Sequence, residues 1–313
     1  MMTSELARDI YYRLEKVRLV EEAIAAEYPR QEMRCPVHLS IGQEAVAVGV
    51  SVCLEKADVV FSTHRCHSHY LAKGGDLNAM IAELYGKRSG CAAGLGGSMH
   101  LVDERVGMMG ASAIVGGSIP LATGAGLHFQ MSGLKNVAVP FFGDGAAEEG
   151  VFHESMNFAA LKNLPVVFVC ENNGVATSSR LLARRPQDTI YRHGEVFGIP
   201  GVQVDGNDVI AVYEAAKSAV DRARNGGGAG LIEAKTFRMM RHVGPEADTQ
   251  TGGRTQDEWN EWAAKCPVRR FEKHCNKHNL LTPDQCQAIR DGIKREIAQA
   301  FEFAKAGEYA EWI

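Results

Sequence analysis

Two short strings in the sequence carry residue types that can hold a metal and a phosphate together. They are Gly143-Asp144-Gly145 and Asn172-Asn173, with 26 residues between them. Each closes an apolar run of strand length, VAVPFF before the first and PVVFVC before the second. In a parallel sheet, ligands gather at the carboxyl ends of the strands, so Asp144 and Asn173 are expected side by side at that edge. The flanking glycines leave the backbone bare, and a helix expected to begin near Ala146 turns free N–H groups to the same place. A carboxylate beside such a helix end is a poor site for a lone anion and a good one for a metal–diphosphate pair. Backbone amides take the phosphates, while Asp144 and the amide oxygen of Asn173 take Mg2+, which favours one or two carboxylates plus phosphate oxygens. Singly, the residues have plainer readings: Asp144 can cap a helix and Asn173 can start a turn.

The elements around these strings must position them. Both apolar runs lack polar alternation, as expected of parallel strands covered on both faces. Between them, Phe152, Met156 and Ala159 recur at helical spacing, and GVQVDG, VIAVYEAAKSAVDRAR and GLIEAKTF continue the strand–helix alternation. That succession predicts an α/β fold, a doubly wound, mostly parallel sheet with helices on both faces. Leu6, Ile10, Leu14, Val17 and Ile24 mark an amphipathic first helix, a second is expected over 43–55, and a short strand over 58–61. Residues 86–126 are rich in glycine, which implies backbone brought close to a ligand or to another backbone. Beyond about 255 the chain reads as helical and charged. The simplest organisation is one domain, with a helical part at 1–57, an α/β core at 58–255 and a helical part at 256–313.

Bulk properties exclude other classes. A net charge of -4 offers no polyelectrolyte attraction to nucleic acid or an anionic membrane. No apolar run approaches the roughly 20 residues of a membrane span, and the amino terminus is too charged for a secretory leader. The eight cysteines form no CxxC pair, which fits a reducing, cytoplasmic setting.

The combination of GDG, 26 residues and NN resembles the signature of thiamine-diphosphate enzymes. The stretch GDGAAEEGVFHESMNFAALKNLPVVFVCENNG is similar, more specifically, to the α subunit of the two-chain first component of pyruvate, branched-chain 2-oxo acid and acetoin dehydrogenases. RCPVHLSIGQEA, THRCHSHYLAKGGD, GLGGSMHL, GASAIVGGSIPLATGAG and VDGNDV extend the likeness over most of the chain. The STHR…H…AKG segment leans towards the acetoin branch. The resemblance implies a thiamine-diphosphate-binding fold with Asp144, Asn173 and the carbonyl of Val175 on Mg2+, and Gly145 and Ala146 against the diphosphate. It puts Arg65, Arg238 and His64 (a tyrosine in many relatives) near the same phosphates. Val115 corresponds to an apolar wedge beneath the cofactor, and the backbone of Ala113 to a partner of its aminopyrimidine.

Histidines supply the remaining candidates. His64, His67 and His69, or Cys275 with His274 and His278, invite a zinc reading, but neither group has a convincing four-ligand spacing. By resemblance, His242 in FRMMRHVGPEAD lies over the reactive thiazolium, where a near-neutral pKa suits acid–base work. His38 matches a second family histidine at the active-site mouth. The loop after His242 departs from the best-known relatives, which carry GHS…SDP…YR. Here Val243, Gly244 and Pro245 follow, Gly253-Arg254 replaces the tyrosine–arginine pair, and the phosphorylated serines are missing.

In this family a glutamate from a separate β subunit activates the cofactor. The resemblance therefore implies αβ heterodimers paired into a tetramer, acting on a small 2-oxo acid or acyloin such as acetoin and passing the acyl group to a lipoyl acyltransferase. A two-subunit thiamine-diphosphate carboligase or decarboxylase working without a lipoyl partner is the alternative.

Overall fold

A computed structural model describes residues 2–33 and 35–311. The apolar runs form a six-stranded, wholly parallel sheet in the order β2-β1-β3-β4-β8-β7. Its strands are β1 (Val59–Thr63), β2 (Met108–Ser112), β3 (Ala138–Gly143), β4 (Val167–Asn172), β7 (Gly201–Asp205) and β8 (Gly230–Lys235). A two-stranded antiparallel hairpin, β5 (Val175–Ala176) with β6 (Ser179–Arg180), follows the Asn172-Asn173 pair.

The unbroken hydrophobicity of the central strands has the expected cause. In β3, Val139 and Phe141 face one core while Ala138 and Phe142 face another; in β4, Val167 and Val169 oppose Phe168 and Cys170. Successive side chains point to opposite faces, so a strand buried on both sides needs apolar residues throughout. Helices α5 (Ser118–Met131) and α6 (Gly150–Leu161) cover one face. The other is covered by α2 (Glu44–Ser51) and α9 (Val209–Arg224), backed by α1 (Ser4–Glu27) and α12 (Pro283–Ala306). Thr282 and Gln285 start α12 with a reciprocal capping box, Pro283 taking the first helical position. Shorter helices fill the connections: α3 (His67–Ala72), α4 (Leu77–Leu84), α7 (Leu181–Arg184), α8 (His193–Val196), α10 (Gln256–Ala264) and α11 (Pro267–Lys277). Among the described residues no helix is long and apolar enough to cross a membrane.

Two expected helix bounds change. The second helix spans Glu44–Ser51 rather than 43–55, the chain turning at once after Val52. The helix expected near Ala146 starts at Gly150 instead, because Asp144–Glu148 is a 3-10 turn and Glu149 is extended. The glycine-rich stretch holds regular structure, β2 and most of α5. A Cβ at Gly126 would lie 2.5 Å from Val166 Cγ2, so glycine there lets α5 press against the sheet, a close approach of the kind expected.

The segment between α4 and β2 is held largely by a side chain rather than by strand pairing. The buried Glu83 accepts backbone N–H bonds from Ala92 and Gly94 at 2.8 Å each on one oxygen, and from Gly96 and Gly97 at 2.7 and 2.9 Å on the other. One buried carboxylate thereby satisfies four half-buried loop donors.

Candidate active site

Parallel pairing brings every strand end that matters to one edge of the sheet. Thr63 pairs with Ser112 and Gly143 with Glu171, while Asn172 pairs with Lys235. The residues just past these ends line a cavity of about 220 Å³. β1 delivers His64 and Arg65, β2 delivers Ala113 and Val115, β3 delivers Asp144, Gly145 and Ala146, and β4 delivers Asn173 and Val175. His38 comes from the segment before α2 and His242 from the segment after β8. The chain reverses direction across the sheet between β1, which leads to β2, and β3 on its other side. Such a switch is where doubly wound sheets bind ligands.

At one end of the cavity the groups are oxygen donors. Asp144 is 2% exposed, and burial raises its carboxyl pKa, although the Arg184 guanidinium paired with it pulls the other way. The Asn173 amide donates to Gln43 Oε1 at 3.2 Å, and its Oδ1 accepts the Val175 N–H at 3.2 Å. Asn172 points to the opposite face, where it donates to Glu233 Oε1 at 2.6 Å, so only the second asparagine of the pair serves the cavity. A Cβ at Gly143 would meet nothing, whereas one at Gly145 would lie 2.9 Å from Ala176 Cβ: the hairpin closes down on the turn after Asp144. A desolvated carboxylate, an amide oxygen and a peptide carbonyl are the donors a hard divalent cation takes, and Mg2+ fits them.

At the other end three imidazoles meet. His38, His64 and His242 have ring centroids 4.8 to 5.3 Å apart, and among the described residues this is the one His/Cys/Asp/Glu group close enough to share a metal. The arginines around it argue against that use. Arg65 is buried and donates to Leu39 O at 2.5 Å and to His242 O at 3.2 Å. Arg238 is 1% exposed and donates to Met240 O and to Asp248. Its Nη1 lies 3.2 Å from His242 Nδ1. A guanidinium only donates, so His242 Nδ1 accepts and its proton sits on Nε2. Burial and the two guanidiniums lower the His242 pKa to about 4; burial first, then Arg65, takes His38 to about 3 and His64 to about 2. The near-neutral pKa expected of His242 is therefore absent. This ring is an uncharged N–H donor, and the cluster repels cations. His38 Nδ1 is buried without a hydrogen-bond partner, a polar atom left for a ligand.

Arg238 does not line the cavity. It lies behind His242, in a buried triad in which Asp248 Oδ2 accepts from Arg238 at 2.6 Å and Arg254 at 2.7 Å. Arg254 also donates to Asn173 O at 2.9 Å, tying the altered loop to the oxygen-donor end. Among the described residues neither zinc candidate is assembled: His67 is bound to Glu21 and Ser98, His69 to Ser62, and Cys275 is buried while the tilted rings of His274 and His278 meet each other. Glu171, Gln43, Asp248 and Arg184 were not anticipated from the sequence. Glu171 carries the one available signal, an acid ending an otherwise apolar strand beside the asparagines.

Known proteins are similar to this chain over most of its length. The family model described as "Dehydrogenase E1 component" matches residues 12–312. The chain is 40% identical over 98% of its length to the α subunit of acetoin:2,6-dichlorophenolindophenol oxidoreductase of Bacillus subtilis, covering 91% of that protein. It is 39% identical to the subunit of the same name from Cupriavidus necator, with 97% and 89% covered. Against the chloroplastic pyruvate dehydrogenase E1 component subunit alpha-3 of Oryza sativa subsp. japonica it is 40% identical, with 97% and 73% covered.

Proposed function

The chain belongs to the dehydrogenase E1 component family as an α subunit, and from that premise we propose that it holds the diphosphate end of thiamine diphosphate through Mg2+. We further propose that it joins a β subunit in αβ pairs that associate as a tetramer, acts on a small 2-oxo acid or an acyloin such as acetoin, and passes the acyl group to a lipoyl acyltransferase. The observation that carries the reading is one cavity lined by Asp144, Asn173 and Val175 together with His38, His64 and His242. The eight free cysteines support a reducing, cytoplasmic setting.

When bound, thiamine diphosphate supplies a nucleophilic carbon and an electron sink for breaking a bond next to a carbonyl. Asp144, Asn173 Oδ1 and the Val175 carbonyl would hold Mg2+, with the backbone at Gly145 and Ala146 facing the diphosphate. The buried Arg65 charge favours the same anion. Val115, 54% exposed at the cavity rim, offers apolar surface to a flat ring, and the Ala113 peptide a hydrogen-bond group beside it. His242 presents Nε2–H and stays neutral at working pH. It can therefore steady negative charge developing on a substrate oxygen without first losing a proton.

The test is calorimetry of thiamine diphosphate with Mg2+ on the αβ complex. Asp144→Ala should weaken binding by roughly 100-fold or more, because neutral ligands alone do not offset a diphosphate and a dication. Undiminished affinity overturns the assignment.

A further inference from the structure

Arg184, the last residue of α7, reaches back over Gly145 and donates one nitrogen to Asp144 and another to Glu148. Its Nε donates to Ser179 O at 3.3 Å. The Asp144 side chain is 2% exposed and that of Glu148 is 30% exposed, so the guanidinium bridges a dry carboxylate and a wet one. Without it Asp144 would be an uncompensated buried charge, which is strongly destabilising. A divalent cation on Asp144 would face the guanidinium across a few ångströms of low-dielectric protein, a repulsion larger than that between two unit charges. The chain cannot hold both there, and the exposed Glu148 is a second seat already in contact.

We propose that Arg184 is the chain's own stand-in for the divalent cation: it neutralises Asp144 while the metal is absent and moves wholly onto Glu148 when the metal binds. The α7 turn follows the hairpin that begins at Val175, so the exchange also acts on the segment carrying a second proposed ligand. The inference rests on Asp144 being a metal ligand, and the experiment separates the two.

Mn2+ binding to the αβ complex is measured by electron paramagnetic resonance, with and without thiamine diphosphate. Arg184→Gln should bind Mn2+ about 10-fold tighter than wild type, and Arg184→Lys, a single-pronged cation, should fall between. Glu148→Gln should weaken Mn2+ binding severalfold in the wild-type background and hardly at all beside Arg184→Gln, because the seat matters only while there is a guanidinium to move. Such non-additivity is what distinguishes exchange from a general field effect. The proposal is overturned if both Arg184 variants bind Mn2+ no tighter than wild type, or if Glu148→Gln costs the same in both backgrounds. If Asp144→Ala retains Mn2+ affinity, the metal site itself is misassigned; if it loses affinity while Arg184→Gln is unchanged, only the role of Arg184 falls.

Discussion

At the Asp144 end of the cavity a buried carboxylate is held by one guanidinium from a short surface helix. At the His242 end, buried guanidiniums are held by the carboxylate of Asp248 and press on uncharged imidazoles. The first arrangement suits a cation that comes and goes, since its counter-charge lies on the periphery. The second suits permanence, because Asp248, Arg238 and Arg254 are almost wholly removed from solvent and bind one another. One end can exchange its charge; the other keeps its charge fixed and uses it to keep histidines neutral.

The largest effect that would break this contrast is expected at Asp248. Asp248→Ala leaves two buried guanidiniums without their shared anion, which should cost about 3–5 kcal/mol in urea unfolding. A loss below about 1 kcal/mol would mean that the triad is not what fixes the loop. His242→Ala should come next. Turnover of the αβ complex with dichlorophenolindophenol as acceptor should fall roughly 100-fold, the scale of losing one positioned donor. Cofactor affinity should stay near wild type, because the His242 side chain is not among the proposed Mg2+ ligands and Arg65 is held by its backbone carbonyl, which the substitution keeps; an equal loss of both would make the residue structural. A third test is in pH. His38, His64 and His242 titrate near 6.5 when unfolded and at about 3, 2 and 4 when folded. Between pH 6.5 and 4 the unfolded chain binds more protons, so stability should fall as pH drops through that window. His38→Gln with His64→Gln should flatten the decline; parallel declines for wild type and the pair would assign it to other groups.

The same contrast explains what the sequence discloses. Asp144 and Asn173 are legible because they close apolar strands, and parallel pairing fixes where strand ends go. Five of the six strands and the covering of both faces follow from such runs, whereas β2 lies hidden in the glycine-rich stretch. His242 and His38 come only through resemblance, since loops bring them together by bonds such as Gly244 N to Val37 O and Met239 N to Ile41 O. No periodicity announces those bonds. The His242 tautomer and its lowered pKa depend on Arg238, which reads as a phosphate ligand until its burial behind the ring is seen. Arg184 had no local signal at all, because its partners lie 40 and 36 positions away.

The sheet order has a consequence for how the chain is made. β8 is the last strand to be synthesised, yet it lies inside the sheet, between β4 and β7. Until residue 235 has left the ribosome, β4 is a bare edge and β7 has nothing to pair with. A naked apolar edge is the surface on which nascent chains join wrongly. About three quarters of the chain must therefore be translated before Asn173 gains a braced strand beneath it. A growing polypeptide stalled short of that point would be a sticky half-sheet rather than a small working version of the site.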